Sequence, residues 1–268
     1  MKVYAVSDIG MRNENQDSYW VAKIAVSDPG STSNLDNLGI GGGYPKGVSE
    51  GSIICVCDGM GGLDDGSYAS RTTIEHVRYA VRGGNIDVET LSAAIEEANS
   101  KLYRLGKDRG KRLGTTCTIV ILLDGQYRII HVGDSRCYRI GHDNIYRVLT
   151  EDHTAFEKFR NEGVMQWVDD RNVRINGKTY RAGSLRSKLT RSVGVREGID
   201  LEVYQGGYVK GDMFLVSSDG FWHSLDSDNR WPIMLRRASN KEEYLRSLMA
   251  QFKNRNEKDN LTVAMAVV

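Results

Sequence analysis

Apolar residues recur along this chain in two rhythms, and their order sets out a frame of strands interrupted by one helical block. "KVYAVSDIG" and "SYWVAKIAV" read as two short strands near the start. "SIICVC" is apolar without a break from Ile53 to Cys57 and reads as a buried strand. The spacing then becomes helical. One helix is expected around residues 66 to 82. A second follows Asp87 as its N-cap, with Leu91, Ala94, Ile95, Ala98, Leu102 and Leu105 recurring on one face. "TCTIVILL", "QYRIIHV", "RCYRI" and "IYRVL" read as a meander joined by tight turns, and "MFLVSS" as a further strand. Asn240 with Glu243 opens a helix carrying Tyr244, Leu245, Leu248, Met249 and Phe252, and the chain closes on the strand "LTVAMAVV". Strands separated by a helical pair, with few alternating βαβ units, indicate an α+β fold with largely antiparallel sheets. The polar, glycine-rich stretch from Ser27 to Gly51 shows neither rhythm and is expected to be a surface loop.

The candidate chemistry lies where the strands stop. Asp58 ends "SIICVC" and is followed by glycine at positions 59, 61 and 62, which frees backbone for close approach. Asp219 ends "MFLVSS", and Asp134 follows "IIHVG". Asp259 stands just before the final strand, and Asp17 just before "SYWVA". Each aspartate alone reads as a turn residue. Five together require cations, because clustered like charges repel unless neutralised. Hard oxygen ligands without histidine or thiolate favour Mg²⁺ or Mn²⁺ over Zn²⁺. Arg12, five residues before Asp17, offers a planar fork suited to two phosphate oxygens.

Composition limits the partners. The 36 basic and 35 acidic residues leave a net charge of +1, so no global field recruits nucleic acid or an anionic membrane. The longest apolar tracts fall well short of the roughly 18 residues needed to cross a bilayer, and the start is too short for a secretory signal. The chain therefore reads as cytoplasmic, as one domain over 1–268, and as a monomer. Cys55, Cys57, Cys117 and Cys137 all sit in apolar or β-patterned runs and are expected to be buried, reduced thiols. Cys55 and Cys57 could be half a metal site, but no CxxC partner or histidine spacing follows.

"SDIGMRNENQDSY", "VCDGMGG", "LGTTCTIVI", "HVGDSRCYRI", "LTEDHT", "LTRSVG", "LVSSDGFW" and "DNLTVAMAVV" occur in an order that resembles the metal-dependent serine/threonine protein phosphatases of type 2C, the PPM family, in its bacterial form. The resemblance runs from Val3 to Val268. It implies a four-layer α-β-β-α sandwich with a metal centre at one edge between two antiparallel sheets. It further implies hydrolysis of phosphoserine and phosphothreonine in proteins by a metal-activated water at a binuclear Mg²⁺ or Mn²⁺ centre, on substrates of a serine/threonine kinase. Carried over by position, Asp58 bridges both ions and the Gly59 carbonyl binds one. Asp219 and Asp259 hold the other, and Asp17 supports the shell mostly through water. Asp134 with Asp219 binds a third, weaker ion, and Arg12 grips phosphate. Thr115 and Thr116 read as packing and turn chemistry. Met60 replaces a histidine proposed as general acid in eukaryotic relatives, which leaves leaving-group protonation to metal-bound water. Gln16 replaces a glutamate, and His223 replaces an aspartate with no role assigned. His153 is expected to pin a loop. A pseudophosphatase that binds phosphoproteins without turnover is the alternative, against which the full ligand set argues.

One segment is not set by the family pattern. Between "LTEDHT" and "LTRSVG", over about 154–190, members carry a variable flap. Here Asn176-Gly177 signals a type I′ hairpin that pairs Ile175 with Lys178, Arg174 with Thr179, Val173 with Tyr180 and Asn172 with Arg181. Seven basic residues and no acidic one lie between Arg171 and Arg191. That hairpin is either a solvated edge or a basic surface for acidic residues that flank a phosphoresidue.

Overall fold

The computed structural model describes residues 1–26, 49–61, 65–82, 86–225, 230–254 and 258–268. Its elements, in chain order, are strands β1 (Lys2–Asp8), β2 (Asp17–Val26) and β3 (Ser49–Met60), then helices α1 (Asp65–Val81) and α2 (Val88–Arg109). A run of short strands follows: β4 (Gly114–Thr115), β5 (Cys117–Leu123), β6 (Gln126–Val132), β7 (Arg136–Ile140) and β8 (Tyr146–Val148). The flap region contributes α3 (Ala155–Asn161), β9 (Met165–Trp167), β10 (Asn172–Ile175), β11 (Lys178–Arg181) and α4 (Ala182–Arg186). The chain ends with β12 (Glu202–Gly207), β13 (Met213–Ser217), α5 (Asp219–His223), α6 (Trp231–Arg237), α7 (Lys241–Asn254) and β14 (Leu261–Val267).

Two antiparallel sheets form the middle layers. One runs β1-β14-β13-β7-β8 and the other β12-β6-β5-β3-β2, with β4 paired to the end of β3. The α+β sandwich follows from side-chain parity, because successive residues of a strand point to opposite faces. On β3, Ile54 and Val56 face inward and meet Phe214, Val216, Ala264 and Ala266 of the opposing sheet. Ile53, Cys55 and Cys57 face outward and pack under α1 and α2, against Ala69, Ile74, Leu91, Ile95 and Leu102. On the far side, Leu235, Leu245, Met249 and Phe252 of α6 and α7 cover Met213, Leu215, Val263 and Met265. Each sheet is thus buried on both faces, which is why its central strands read as unbroken apolar runs.

Helix boundaries follow local chemistry. Asp87 caps α2 by accepting the Thr90 N–H at 2.6 Å, and Gly110 closes that helix in the left-handed region at φ 62°. Asn240 accepts the Glu243 N–H at 3.2 Å ahead of α7. The expected loop from Ser27 to Gly51 lies outside the described residues except for Ser49 to Gly51, which belong to β3. Among the described residues, no helix is long and apolar enough to cross a membrane.

Candidate active site

The inward face of β3 changes character near its end, one step before Met60. Ile54 and Val56 belong to the core between the sheets, and Asp58 follows them at the same parity. Asp17 stands directly opposite Asp58 in the β2–β3 register. Asp219 opens α5 where β13 ends, Asp134 follows β6, and Asp259 lies two residues before β14. The structure therefore brings all five aspartates to one edge of the sandwich, although they are scattered over 243 positions of sequence.

Their electrostatics confirm the crowding. Burial pushes the Asp17 carboxyl up to about 7, with Asp219 and Asp259 adding to the rise and hydrogen bonds from Thr262 and Ser218 opposing it. Burial also raises Asp58 well above the usual carboxylate range, reinforced by Asp17, Asp219, Asp134 and Asp259. Asp134 is raised by burial and then by Asp219. Asp219 is raised by burial and by Asp259, although Asp58 and its own helix start hydrogen-bond to it. Arg12 answers them at the rim: its Nη2 donates to Asp259 Oδ2 at 2.9 Å and it also senses Asp219 and Asp58, while Arg136 acts on Asp134. His223 Nδ1 lies 3.8 Å from Asp219 Oδ2, one helical turn along α5, an environment that the sequence did not assign.

The cluster fits divalent cations. Ser218 Oγ donates to Asp17 Oδ2 at 2.8 Å, whereas Oδ1 of the same buried carboxylate has no hydrogen-bond partner among the described residues. A buried carboxylate oxygen without a donor is costly unless a cation meets it. Four further carboxylates converge there, which is the donor set of a hard-ion site.

Backbone clamps hold these carboxylates in place. The Asp58 N–H donates to Thr116 Oγ1 at 2.8 Å, and the Asp58 carbonyl accepts from the Thr116 N–H at 2.9 Å and from Thr115 Oγ1 at 2.8 Å. The two threonines fix the strand end from which the Asp58 carboxylate projects, a positioning role beyond packing. Asn260 does the same for the loop that bears Arg12: its amide donates to the Ile9 and Glu14 carbonyls, and its oxygen accepts the Gln16 N–H. Asn260 was missed in the sequence, where its only signal is its place beside Asp259. Gly10, at φ +62°, passes so close to the Asp259 carbonyl that a Cβ would lie 2.0 Å from its oxygen.

Gly59 differs from its sequence reading in one respect. A Cβ there would meet the Gly66 carbonyl oxygen at 2.2 Å and that of Gln16 at 2.6 Å. The space left by the missing side chain is therefore filled by the start of α1 and by the loop residue Gln16 before β2, rather than held open for a ligand. Gly62 lies outside the described residues. His153 behaves as expected: its N–H donates to the Gly133 carbonyl at 2.7 Å, and its Nδ1 accepts the Gly133 N–H at 3.1 Å. It ties the root of the flap to the residue before Asp134.

Comparison with known proteins gives this arrangement its family. Residues 44–262 match the protein phosphatase 2C family, and the chain belongs to it. Membership carries a dependence on divalent metal and makes the protein a phosphatase. The protein phosphatase PhpP of Streptococcus pneumoniae is 26% identical over 80% of this chain and 85% of its own. The serine/threonine phosphatase stp of Listeria innocua is 28% identical over 70% of this chain and 71% of its own. Among solved structures, the serine/threonine phosphatase of S. agalactiae superposes with a TM-score of 0.77 at 24% identity, covering 100% of this chain and 99% of that one. That likeness establishes the shared sandwich fold.

Proposed function

We propose that this protein hydrolyses phosphoserine and phosphothreonine in proteins. The observation that carries the reading is the convergence of Asp17, Asp58, Asp134, Asp219 and Asp259 beside Arg12 at one sheet edge. The names of the bacterial relatives, serine/threonine phosphatases, support it. Two Mg²⁺ or Mn²⁺ ions held by Asp58, Asp17, Asp219, Asp259 and the Gly59 carbonyl, with a third at Asp134 and Asp219, would supply Lewis-acid activation of a water for in-line attack on phosphorus.

The chain's own residues do the rest. Arg12 is half-exposed and paired with Asp259, so its guanidinium lies at the rim of the cluster, where two of its N–H groups can turn to phosphate oxygens. Asp58 is held through both its N–H and its carbonyl, so the backbone from which its carboxylate projects is fixed as charge builds. The Ser218 hydroxyl at the cluster is committed to Asp17 Oδ2 at 2.8 Å, which supports direct attack by water without a phosphoenzyme. The protein is proposed to act as a cytoplasmic monomer on the substrates of a serine/threonine kinase. The pseudophosphatase alternative is not favoured, because every expected ligand position is filled. Release of phosphate from a phosphothreonine peptide should require Mn²⁺ or Mg²⁺ and stop with EDTA. Peptide binding without release in either metal would overturn the reading.

A further inference from the structure

Cys55 and Cys57 lie on the outward face of β3, and the β3–β5 register, continued one step past Val56↔Thr118, sets Cys57 opposite Cys117. Fold geometry thus adds the third thiol that sequence spacing did not show. The three Sγ atoms all lie within 4.8 Å of one another, and all three residues are 0% exposed. Their surroundings are apolar, with Ile53, Ala69, Ile74, Ala98 and Ile119 in the same cluster. Burial raises the Cys55 thiol, and among the described residues the ionisable groups that act on it are the other two thiols.

We propose that Cys55, Cys57 and Cys117 form a binding site for a trivalent thiophilic metalloid, of the kind represented by arsenite. Thiolates select soft ions, and a metal–sulfur bond of about 2.3 Å places three sulfurs roughly 3.5–4 Å apart, inside the 4.8 Å within which these three atoms are gathered. Charge then decides among soft ions. Three thiolates around a monovalent or divalent cation leave a net negative charge in a dry core with no basic partner among the described residues, which is strongly unfavourable. Around a trivalent centre the product is neutral. The condensation balances without redox chemistry: As(OH)₃ and three thiols give the tris-thiolate and three waters, with three As–O and three S–H bonds replaced by three As–S and three O–H bonds. Because the thiols are fully covered by α1 and α2, binding waits on local opening and is slow.

The adduct would also tether β3 one residue before Asp58. Inhibition of the phosphatase is therefore expected, and this consequence alone rests on the proposed function. The site itself is read by binding.

The test uses the full reduced chain with arsenite, followed by native intact-mass measurement and arsenic X-ray absorption, with and without low urea. One arsenic per chain, a mass gain of one arsenic less three hydrogens and a shell of three sulfurs are expected, with faster uptake in urea. Cys117→Ala should weaken binding by roughly tenfold or more, whereas Cys137→Ala, in the inter-sheet core, should leave it unchanged. No adduct in wild type even with urea, a shell of two sulfurs, a Cys57–Cys117 disulfide in place of the adduct, or undiminished binding by Cys117→Ala would each overturn the proposal. Binding without loss of phosphate release would overturn only the tether to Asp58.

Discussion

The two faces of β3 are built from alternate residues of one strand and end in opposite chemistries. Inward, Ile54 and Val56 lead to Asp58, and the core between the sheets gives way to five carboxylates. Outward, Ile53, Cys55 and Cys57 stay inside an apolar layer sealed by two helices. Both faces are buried, so burial does not distinguish them. What differs is the company: the inward face meets strand ends that each deliver an acidic residue, and the outward face meets helices that deliver mainly apolar side chains, with the Ser70 and Thr73 hydroxyls of α1 donating to backbone carbonyls. A strand packed on both sides can hold a reactive edge rigidly on one face because the other face is ordinary core.

The sharpest way to break this comparison is to alter each face by one residue. Asp58→Asn keeps the shape of the strand end but removes the charge on which the other four carboxylates converge. Turnover of a phosphothreonine peptide should fall by about 10³-fold or more, the scale of losing a preorganised charge in a transition state. Unfolding temperature should stay the same or rise without metal, since a repelling carboxylate is gone. Ile53→Ala, on the outward face, should do the reverse. It should cost about 3 kcal/mol by creating a cavity, lower the melting temperature by roughly 6–12 °C, and leave kcat within about twofold at a temperature where the protein is folded. Equal losses of activity in the two variants would mean that the faces are not separable.

Metal-free protein offers a second, smaller contrast. The folded-state value of Asp17 is raised to about 7, far above its ordinary 3.8, so between those values the native chain keeps a proton that the unfolded chain has lost. Stability contributed by this group is full at low pH and is lost as pH rises through that window. Asp58, Asp134 and Asp219 shift in the same direction. In EDTA the melting temperature should therefore drop between pH 5 and pH 7.5, by roughly 5 °C, and Mn²⁺ should raise it more at pH 7.5 than at pH 5. Asp17→Asn should flatten the profile. A melting temperature in EDTA that rises over this range would show that the carboxylates are not held protonated against one another.

Both contrasts were partly legible in the sequence. Each aspartate sits at a point where an apolar run stops, and the strand parity that aims Asp58 inward is set by Ile54 and Val56 alone. Thr115 and Thr116 were read as packing, because a hydrogen bond from a hydroxyl to a backbone carbonyl 57 positions away leaves no trace in spacing. The third thiol was hidden for the same reason: Cys117 joins Cys55 and Cys57 only through β-sheet register. Strand β12 and helix α6 were not expected. The first is half-exposed along its length, and the second is a seven-residue helix opened by Trp231-Pro232, too short to show a period. The flap hairpin was fully legible, since Asn-Gly specifies both the turn and the register.

That hairpin supplies the smallest and most selective contrast, between the chemistry and a surface outside it. The observed pairs are Asn172↔Arg181, Val173↔Tyr180, Arg174↔Thr179 and Ile175↔Lys178, as expected. Val173 and Ile175 are buried against Phe156, Ala182 and Leu185, whereas Arg174, Lys178 and Arg181 point to solvent. Other basic residues nearby are occupied: Arg191 pairs with Glu202 at 2.8 Å, and Arg186 lies over the Phe156 ring at 4.3 Å. Arg174 and Arg181 form no ion pair among the described residues, and they share one face of the hairpin. A protein with a net charge of +1 thus concentrates unpaired positive charge on a flap whose root is tied to Gly133, the neighbour of Asp134. Such a surface would attract acidic residues around a phosphoresidue at a range of about 10 Å or less in ordinary salt. Arg174→Glu with Arg181→Glu should raise KM for an acidic phosphopeptide roughly three- to tenfold at low salt, with less effect at high salt. Hydrolysis of p-nitrophenyl phosphate should change little, because neither arginine belongs to the carboxylate cluster. Exposed substitutions of this kind alter stability by about 0.5 kcal/mol or less, so a change in KM would not reflect unfolding. If both substrates were affected alike, or neither, the charges would serve only to keep the hairpin edge soluble.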